Sequence, residues 1–460
     1  MDWKIRIKQL ILLISYVTLA LGITFFFLVY VLNWTLPGIM VTMVYSGISS
    51  YMIFIYIVPS WVILKYHLKG NKRLSLIVVG ICGLLVVTSI LPAISTPSAI
   101  WGAESQFNDL YGEDYRELDT KNMLKEPFSI WRQFAGISIK DSEIEVEEKI
   151  EYYDNGDDTF YFDYYAPKDG DGPYPAIINI HGGAWFLGNR GPINNVAFSK
   201  YIAAQGYVVF DIQYGLCDIN EAADTADLEL VADVLLEMLK NYPELREKVV
   251  PQYEKNYMIQ DQVANIGKFT QFLANNSEEY EADIDNVFIM GRSAGAHMAG
   301  VVGCGYYNSK FSGIFDPNLT VRGVVLYYPP TDIKKMYDAM ADGSLGAYPK
   351  LAPAFEDFLD DGDMSDEQLE KEYKKYSAAY LIQDDNKVPP IIVVHGNLDR
   401  IVPYEEQGLG FYEIAQEEDR DCILVTIPFA GHAFDIINAQ SPGWQISTYY
   451  IERFLALEVE

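Results

Sequence analysis

The chain has 460 residues, which exceeds one ordinary domain and predicts two or three units. Its formal net charge of −30 is unevenly placed: residues 1–100 carry seven basic side chains and one acidic, and the rest carries 27 basic and 63 acidic. An acidic surface repels nucleic acid, so that class of partner is excluded, while it suits a cationic substrate or serves solubility alone. Four scattered cysteines without C-x-x-C spacing exclude a disulfide framework and predict no metal site.

The first hundred residues predict a membrane anchor. No charged residue lies between Lys8 and Lys65, a length sufficient for two spanning helices of about 20 residues. Pro and Gly within 33–38 divide this run, and a second uncharged run covers 74–103. The predicted transmembrane helices, about three in number, are 10–32, 40–64 and 74–94.

Basic residues predict the orientation of this anchor. They cluster before the first helix and between the second and third, whereas the loop between the first and second has none. Basic segments stay in the cytoplasm, so three crossings place everything after Trp101 on the other side. The sequence therefore predicts an integral protein of the cell membrane with an extracytoplasmic domain. A cleaved signal peptide is the alternative, but the first apolar run is too long for one.

The remainder divides into an acidic linker at 101–136 and a large domain at 137–460. Short apolar runs alternate there with helical stretches, for example 228–239 and 294–302, which predicts an α/β fold with a mostly parallel sheet and helices on both faces. Insertions near 240–280 and 335–380 could form a cap over a site or lie on the surface. The predicted strands are 144–153, 160–165, 176–180, 207–210, 287–290, 321–326, 391–394 and 423–426.

The pentapeptide 291–295, Gly-Arg-Ser-Ala-Gly, is a G-x-S-x-G motif between a predicted strand and a predicted helix. A sharp turn there needs small residues on both sides of the serine, because the backbone is crowded and strained. Such a turn exposes the hydroxyl at the N-terminus of a helix. Ser293 is therefore the predicted nucleophile.

A Gly-rich loop, residues 181–185, follows the predicted strand 176–180. An ester carbonyl becomes an oxyanion during attack and needs backbone N–H donors, which a loop containing Gly182 and Gly183 supplies without intervening side chains. Ala294, the residue after the nucleophile, supplies a further donor in such sites. The alternative is an ordinary Gly turn.

A serine needs a base, and the base needs an orienting acid. Of the five histidines, His432 lies just after the last predicted strand and is the predicted base. The other four are assigned elsewhere: His67 to the membrane loop, His181 to the Gly-rich loop, His297 to the helix after the nucleophile, and His395 to structural support at a strand end.

Asp399 follows the predicted strand 391–394 and is the predicted acid. The order Ser, Asp, His is the one expected for a G-x-S-x-G hydrolase. Asp332, after the preceding strand, is the fallback. Asp435 is too close in sequence to His432 to be attractive.

Four motifs in this order resemble the α/β-hydrolase superfamily, specifically the esterase/lipase group similar to hormone-sensitive lipase, over residues of about 140–457. The resemblance implies an α/β-hydrolase fold and oxyanion donors at Gly183 and Ala184. Ala184 departs from the third Gly of the group's H-G-G-G loop, and its methyl narrows the hole or alters the donor geometry. The motifs are His-Gly-Gly-Ala at 181–184, Gly-Arg-Ser-Ala-Gly at 291–295, Asp-Arg-Ile-Val-Pro at 399–403 and Gly-His-Ala-Phe at 431–434.

These residues predict a carboxylic-ester hydrolase that works through a Ser-His-Asp triad and an acyl-enzyme, without a metal or organic cofactor. The expected substrate is a small-molecule or lipid-like ester. One alternative is an acyltransferase or deacetylase acting on envelope glycan or lipid. A further alternative is a non-catalytic binding protein on the same fold.

Overall fold

The computed structural model describes the chain except for a set of short segments and one long one. The predicted helix 228–239 and parts of both predicted insertions lie outside the described residues. The residues not described are 1–2, 117, 119–122, 137–140, 171, 192–193, 218–248, 250, 252, 342–357, 360–363, 437–439 and 460.

Three long apolar helices open the chain: α1 (Trp3–Tyr30), α2 (Leu36–Tyr66) and α3 (Lys72–Ile94). Each is long and apolar enough to cross a membrane, and together they indicate membrane association. The side chain of Thr35 caps α2 by accepting from the Gly38 amide, which explains why the predicted turn ends there. Helices α1 and α3 begin earlier than predicted and α2 ends later, because the basic flanks are also helical. Helix α2 also begins four residues earlier than predicted, at Leu36, and α1 ends two residues earlier, at Tyr30.

Eight strands form one sheet in the described chain, in the order β1-β2-β4-β3-β5-β6-β7-β8. Strand β2 is antiparallel to both neighbours, and the other pairs are parallel. Every residue of β4 and β7 is buried, as expected for strands covered on both faces. The bounds are β1 Ile144–Asp154, β2 Thr159–Pro167, β3 Tyr174–Ile180, β4 Val208–Ile212, β5 Ala282–Arg292, β6 Val321–Tyr327, β7 Ile391–Gly396 and β8 Cys422–Ile427.

Helices cover both faces of this sheet, which confirms the predicted α/β-hydrolase fold. Neighbouring residues of β5 show the two faces: Ile289 packs in one hydrophobic cluster and Phe288 in the other, because side chains alternate along a strand. The remaining helices are α4 Thr96–Tyr111, α5 Ile130–Ala135, α6 Val196–Ala203, α7 Ile259–Asn276, α8 Ala294–Gly305, α9 Ile333–Ala341, α10 Asp366–Lys375, α11 Ala378–Leu381, α12 Gly410–Glu417 and α13 Pro442–Glu458.

Helix α4 joins the membrane helices to the sheet. It begins directly after α3 and packs against the edge strand β8, where the amide of Gln106 bonds both the N–H and the C=O of Leu424. An exposed strand edge is thereby satisfied. Phe107 and Tyr115 lie in the predicted linker and are buried. Part of the linker is therefore packed, because its apolar side chains pack into the hydrophobic core beside the sheet. The three-part division of the chain stays a prediction.

The order of the strands changes direction at β3. The next strand along the chain, β4, pairs with one edge of β3, and the strand after that, β5, pairs with the other edge. Loops that follow β3 and β5 therefore leave the sheet in divergent directions and open a crevice at the carboxyl ends of the strands. Ligands of open α/β sheets bind at such a point. The Gly-rich loop follows β3, and Ser293 follows β5.

Candidate active site

Ser293 occupies a strained turn between β5 and α8. Its φ is +53°, which an L-residue rarely adopts, and its amide donates to the Tyr327 carbonyl at 3.0 Å. A Cβ on Gly291 would lie 2.1 Å from the Gly295 carbonyl oxygen, so the turn closes only with glycine there. The turn leaves Ser293 partly exposed, as a nucleophile needs.

The structure brings the three predicted side chains together. Ser293 Oγ lies 2.9 Å from His432 Nε2, and His432 Nδ1 lies 2.7 Å from Asp399 Oδ2. A carboxylate only accepts, so Nδ1 carries the proton and Nε2 is left to accept from the serine hydroxyl. The imidazole is thus held in the tautomer that can remove a proton from Ser293.

Asp399 is buried and fully engaged. Its Oδ1 accepts from the amides of Ile401 and Val402, both at 2.9 Å, and its Oδ2 also faces His395 Nε2 at 3.2 Å. Burial alone would raise the pKa of Asp399, but the charge of His432 and the hydrogen bonds from both histidines lower it well below its ordinary value. Asp399 therefore stays a carboxylate. The sequence assigned His395 only to structural support, and its contact with Asp399 was not foreseen.

The backbone of the Gly-rich loop, residues 181–185, is left-handed at three successive residues. Gly183, Ala184 and Trp185 all have positive φ, at +127°, +51° and +67°. A Cβ on Gly183 would lie 2.0 Å from the Leu187 carbonyl oxygen, so no other residue fits. Within the described residues, no protein acceptor is found for the amides of Gly183, Ala184 or Ala294. Ala184 follows the same left-handed path as a glycine despite its methyl.

Two buried histidines hold this loop. Trp185 Nε1 donates to His297 Nδ1 at 3.0 Å, so His297 carries its proton on Nε2, which donates to the Tyr376 carbonyl at 2.6 Å. Burial lowers the pKa of His297 to about 4, and the bond to the Tyr376 carbonyl opposes this only in part. His181 stacks on Tyr214, and burial lowers its pKa to about 4. Both rings are neutral near pH 7.

A buried ion pair connects the serine turn, residues 291–295, to the loop that carries His432, residues 428–436. The second segment is the histidine loop. Arg292 Nε lies 2.8 Å from Asp435 Oδ2, and the two side chains are 1% and 0% exposed. Asp435 Oδ1 also accepts from the Tyr328 hydroxyl at 2.8 Å, and the Tyr328 ring lies 4.6 Å from the His432 ring. Burial alone would lower the pKa of Arg292, but the charge of Asp435 raises it above its ordinary value. Neither residue was assigned a role from sequence patterns, although a buried arginine at a strand end requires a carboxylate partner.

Asp332, the fallback acid, lies elsewhere. Its Oδ1 accepts from the Lys335 amide at 3.0 Å, at the start of α9, and it has no hydrogen bond to His432. Among the described residues, no group of three or more His, Cys, Asp or Glu side chains could hold a metal ion.

Comparisons with known proteins agree on one class. The sequence model of the BD-FAE family matches residues 162–237 and 252–412. The chain is 22% identical over 288 residues to the probable carboxylic ester hydrolase LipM of Mycobacterium tuberculosis, covering 62% of this chain and 54% of that protein. It is 22% identical over 251 residues to the isoprenylcysteine alpha-carbonyl methylesterase ICME of Arabidopsis thaliana, covering 53% and 47%. The chain thus spans about half the length of these relatives.

A solved structure supports the fold. Esterase B of Lactobacillus Rhamnosis superposes with a TM-score of 0.51 at 18% identity, covering 79% of this chain and 96% of that one. Identity this low bears on the fold alone.

Breaking the buried ion pair should destabilise the protein strongly. In Asp435→Ala the Arg292 charge stays buried without a partner, and we expect the free energy of unfolding to fall by about 3–5 kcal/mol. Denaturant unfolding of the detergent-solubilised protein measures this. The control is Asp338→Ala, which removes a surface pair with Lys334 and should cost less than about 1 kcal/mol. Equal costs for the two variants would contradict the assignment.

The neutral His297 should make stability fall in acid. Its folded pKa of about 4 lies below the unfolded value of about 6.5, so the unfolded state binds the extra proton first. The contribution is complete above pH 6.5 and is lost as pH falls toward 4. The destabilisation caused by His297→Gln should therefore shrink by about 3 kcal/mol over this window, measured by unfolding at each pH.

A matched control for this pH series is Gln262→Leu. Gln262 also bonds the Trp185 segment, at 3.1 Å to its carbonyl, but it does not titrate. Its destabilisation should be the same at both ends of the window. A constant cost for His297→Gln would show that the ring is not the proton-linked group.

Proposed function

Because the chain belongs to the BD-FAE family, we propose that it is a carboxylic-ester hydrolase with Ser293 as nucleophile, His432 as base and Asp399 as orienting acid. Its relatives include a probable carboxylic ester hydrolase and a methylesterase, which supports the reaction class. The observation that carries the proposal is the unbroken hydrogen-bond chain from Ser293 through His432 to Asp399, at 2.9 and 2.7 Å. It lies at the carboxyl edge of the sheet, at the point where the order of the strands changes direction.

In the first step, His432 Nε2 takes the hydroxyl proton while Ser293 Oγ forms a bond to the acyl carbon. The electron pair of the carbonyl moves to oxygen. Asp399 keeps its charge throughout and stabilises the imidazolium. His432 then gives its proton to the alkoxide, the ester C–O bond breaks, and the acyl group stays on Ser293.

The developing oxyanion needs donors at about 2.7–3.1 Å. The amides of Gly183, Ala184 and Ala294 are our candidates, and the left-handed backbone at Gly183 and Ala184 supports the first two. Gly182 packs against the serine turn, since a Cβ there would lie 2.6 Å from the Arg292 carbonyl oxygen. In the second step His432 removes a proton from water, which attacks the acyl carbon. The acid leaves and Ser293 Oγ recovers its proton. Water is the only co-reactant.

We also propose that the domain is extracytoplasmic. The basic residues lie at one end of the helix bundle, at Lys4–Lys8 and Lys65–Arg73, whereas the domain packs against the opposite ends of α1 and α2, at Tyr30 and Thr42. Basic segments mark the cytoplasmic side. The packing supports the same side for the whole domain.

Removing any member of the Ser-His-Asp set should abolish turnover. We expect kcat/KM to fall by about 10⁴-fold or more in Ser293→Ala, His432→Ala and Asp399→Asn, because they act as a unit. A panel of chromogenic esters of rising chain length measures it. Asp332→Asn, the matched carboxylate after β6, should stay within about twofold of wild type because it caps a helix instead. Full activity of Ser293→Ala would refute the proposed nucleophile.

The proposed orientation predicts reporter activity at the C-terminus. Alkaline phosphatase fused there should be active and green fluorescent protein dark, because three crossings carry the chain across the membrane. Fusions after Gly70, in the basic loop, should give the reverse. Fluorescence at the C-terminus would place the domain in the cytoplasm.

A further inference from the structure

The adjoining ends of α1 and α2, on either side of the turn that connects them, lie against the histidine loop. A Cβ on Gly431, the neighbour of His432, would lie 2.8 Å from the carbonyl carbon and oxygen of Thr42 in α2. The ring of Phe429 lies 6.4 Å from that of Tyr30, the last residue of α1. Backbone contact this close permits no side chain at 431. The membrane helices are therefore part of the wall that holds His432.

The same turn reaches the loop of Asp399. Trp34 borders a cavity of about 190 Å³ whose other walls come from the segment after β7 and from α9. Apolar residues around this turn are exposed to the surroundings of the protein. They are Val31, Leu32 and Trp34 in the turn and Met40 near the start of α2. Besides Asp399, the wall opposite Trp34 carries the charged side chains of Lys335, Arg400, Glu405 and Glu406, so the apolar part of this cavity is on the side of the membrane helices.

The lengths of the helices place these contacts at the membrane surface. Lys8 and Lys65 mark one face of the bilayer, and a hydrocarbon core of about 30 Å corresponds to about 20 helical residues. The opposite face then lies near residue 28 of α1 and residue 45 of α2. Tyr30 and Thr42 come just beyond it. The rim of the site therefore lies at the level of the lipid headgroups.

Helix α5, in the predicted linker, also packs beside the membrane helices. Helix α5 exposes Ile130, Trp131 and Phe134, and Trp131 is 80% exposed. The Phe134 ring contacts Tyr51 and Phe54 of α2, at 5.2 and 6.4 Å between centroids. By the same residue count these two residues lie within the hydrocarbon core. An exposed apolar face in line with three membrane helices is covered by lipid.

We infer that the ester hydrolysed at this site is a membrane lipid or lipid-anchored ester, which reaches Ser293 from the leaflet on the domain's side. This rests on the proposed hydrolase function. The exposed apolar side chains of residues 31–40 lie next to the loops of His432 and Asp399, and the acyl chain would lie along them. To reach Ser293, the ester bond then needs to leave the hydrocarbon core only as far as the level of the lipid headgroups.

The test uses full-length protein in phosphatidylcholine vesicles and two esters of one alcohol, 4-methylumbelliferyl oleate and butyrate. With total oleate ester constant, dilution by added phosphatidylcholine should lower the rate in proportion to its mole fraction, because the bilayer sets the effective concentration. Oleate ester supplied in separate vesicles should react about tenfold more slowly. The butyrate ester should follow its bulk concentration.

Two matched variants locate the path. Trp34→Ser should lower the oleate rate about tenfold and the butyrate rate by a clearly smaller factor, so that the ratio of the two rates falls. Trp61→Ser is the control, since Trp61 is exposed to a similar degree, 53% against 58%, but lies near the other end of α2. It should change neither rate.

The outcomes separate the two proposals. Oleate hydrolysis that ignores mole fraction, or equal effects of Trp34→Ser and Trp61→Ser, would overturn the membrane route while the hydrolase stands. Failure of wild type to cleave either ester, together with no labelling of Ser293 by a fluorophosphonate, would overturn the hydrolase itself. Labelling by a long-chain alkyl fluorophosphonate that Trp34→Ser slows and Trp61→Ser does not would support the route without turnover.

Discussion

The parallel pairing of β3 with β5 is the constraint on which the site depends. Its register sets Ile180 opposite Gly291, so the two strands end side by side. The Gly-rich loop and the serine turn must then leave the sheet at the same point. Their close approach excludes side chains at Gly182, whose Cβ would lie 2.6 Å from the Arg292 carbonyl oxygen, and at Gly295, whose Cβ would lie 2.2 Å from the Ile180 carbonyl oxygen. Within the two turns, the backbone is left-handed at Gly183 and Ser293. Strain of this kind persists only where the surrounding structure over-determines it.

That surrounding structure is polar inside an apolar core. The Arg292–Asp435 pair joins the end of β5 to the histidine loop, and His297 joins α8 to Trp185. Each of these groups is desolvated, so each is tolerable only with its partner in place. The partners therefore fix geometry more than they add stability. A shift of either loop would leave a buried charge or donor unsatisfied.

Direct contacts also hold the membrane helices against the sheet and the histidine loop. Helix α4 follows α3 directly and bonds the edge of β8 through Gln106, while α2 packs against Gly431. The domain is thus held at one angle to the bundle at two places. A flexible tether would leave the site free to face any direction, whereas these contacts fix the site relative to the helices. On the inferred membrane route, the anchor therefore selects which esters reach the site.

Local patterns in the sequence were enough to predict much of this. Apolar run length gave the three helices, alternation gave the strands, and the serine between a strand and a helix gave the turn at Ser293. The chain order Ser, Asp, His predicted which side chains meet, and their catalytic roles stay a prediction. Asp332 and Asp399 could not be separated with certainty by pattern, because both follow strands of the same sheet.

What the sequence by itself determined is the kind of element at each position, because period and turn chemistry are local. Only the tertiary structure decided which buried polar groups pair, such as Arg292 with Asp435, 143 residues apart. It also decided that α2 contacts the histidine loop and that the apolar residues Phe107 and Tyr115 of an otherwise acidic, linker-like segment are buried. These pairings and packing contacts join segments that are distant in the chain. Local composition and periodicity do not determine which surface a given helix packs against.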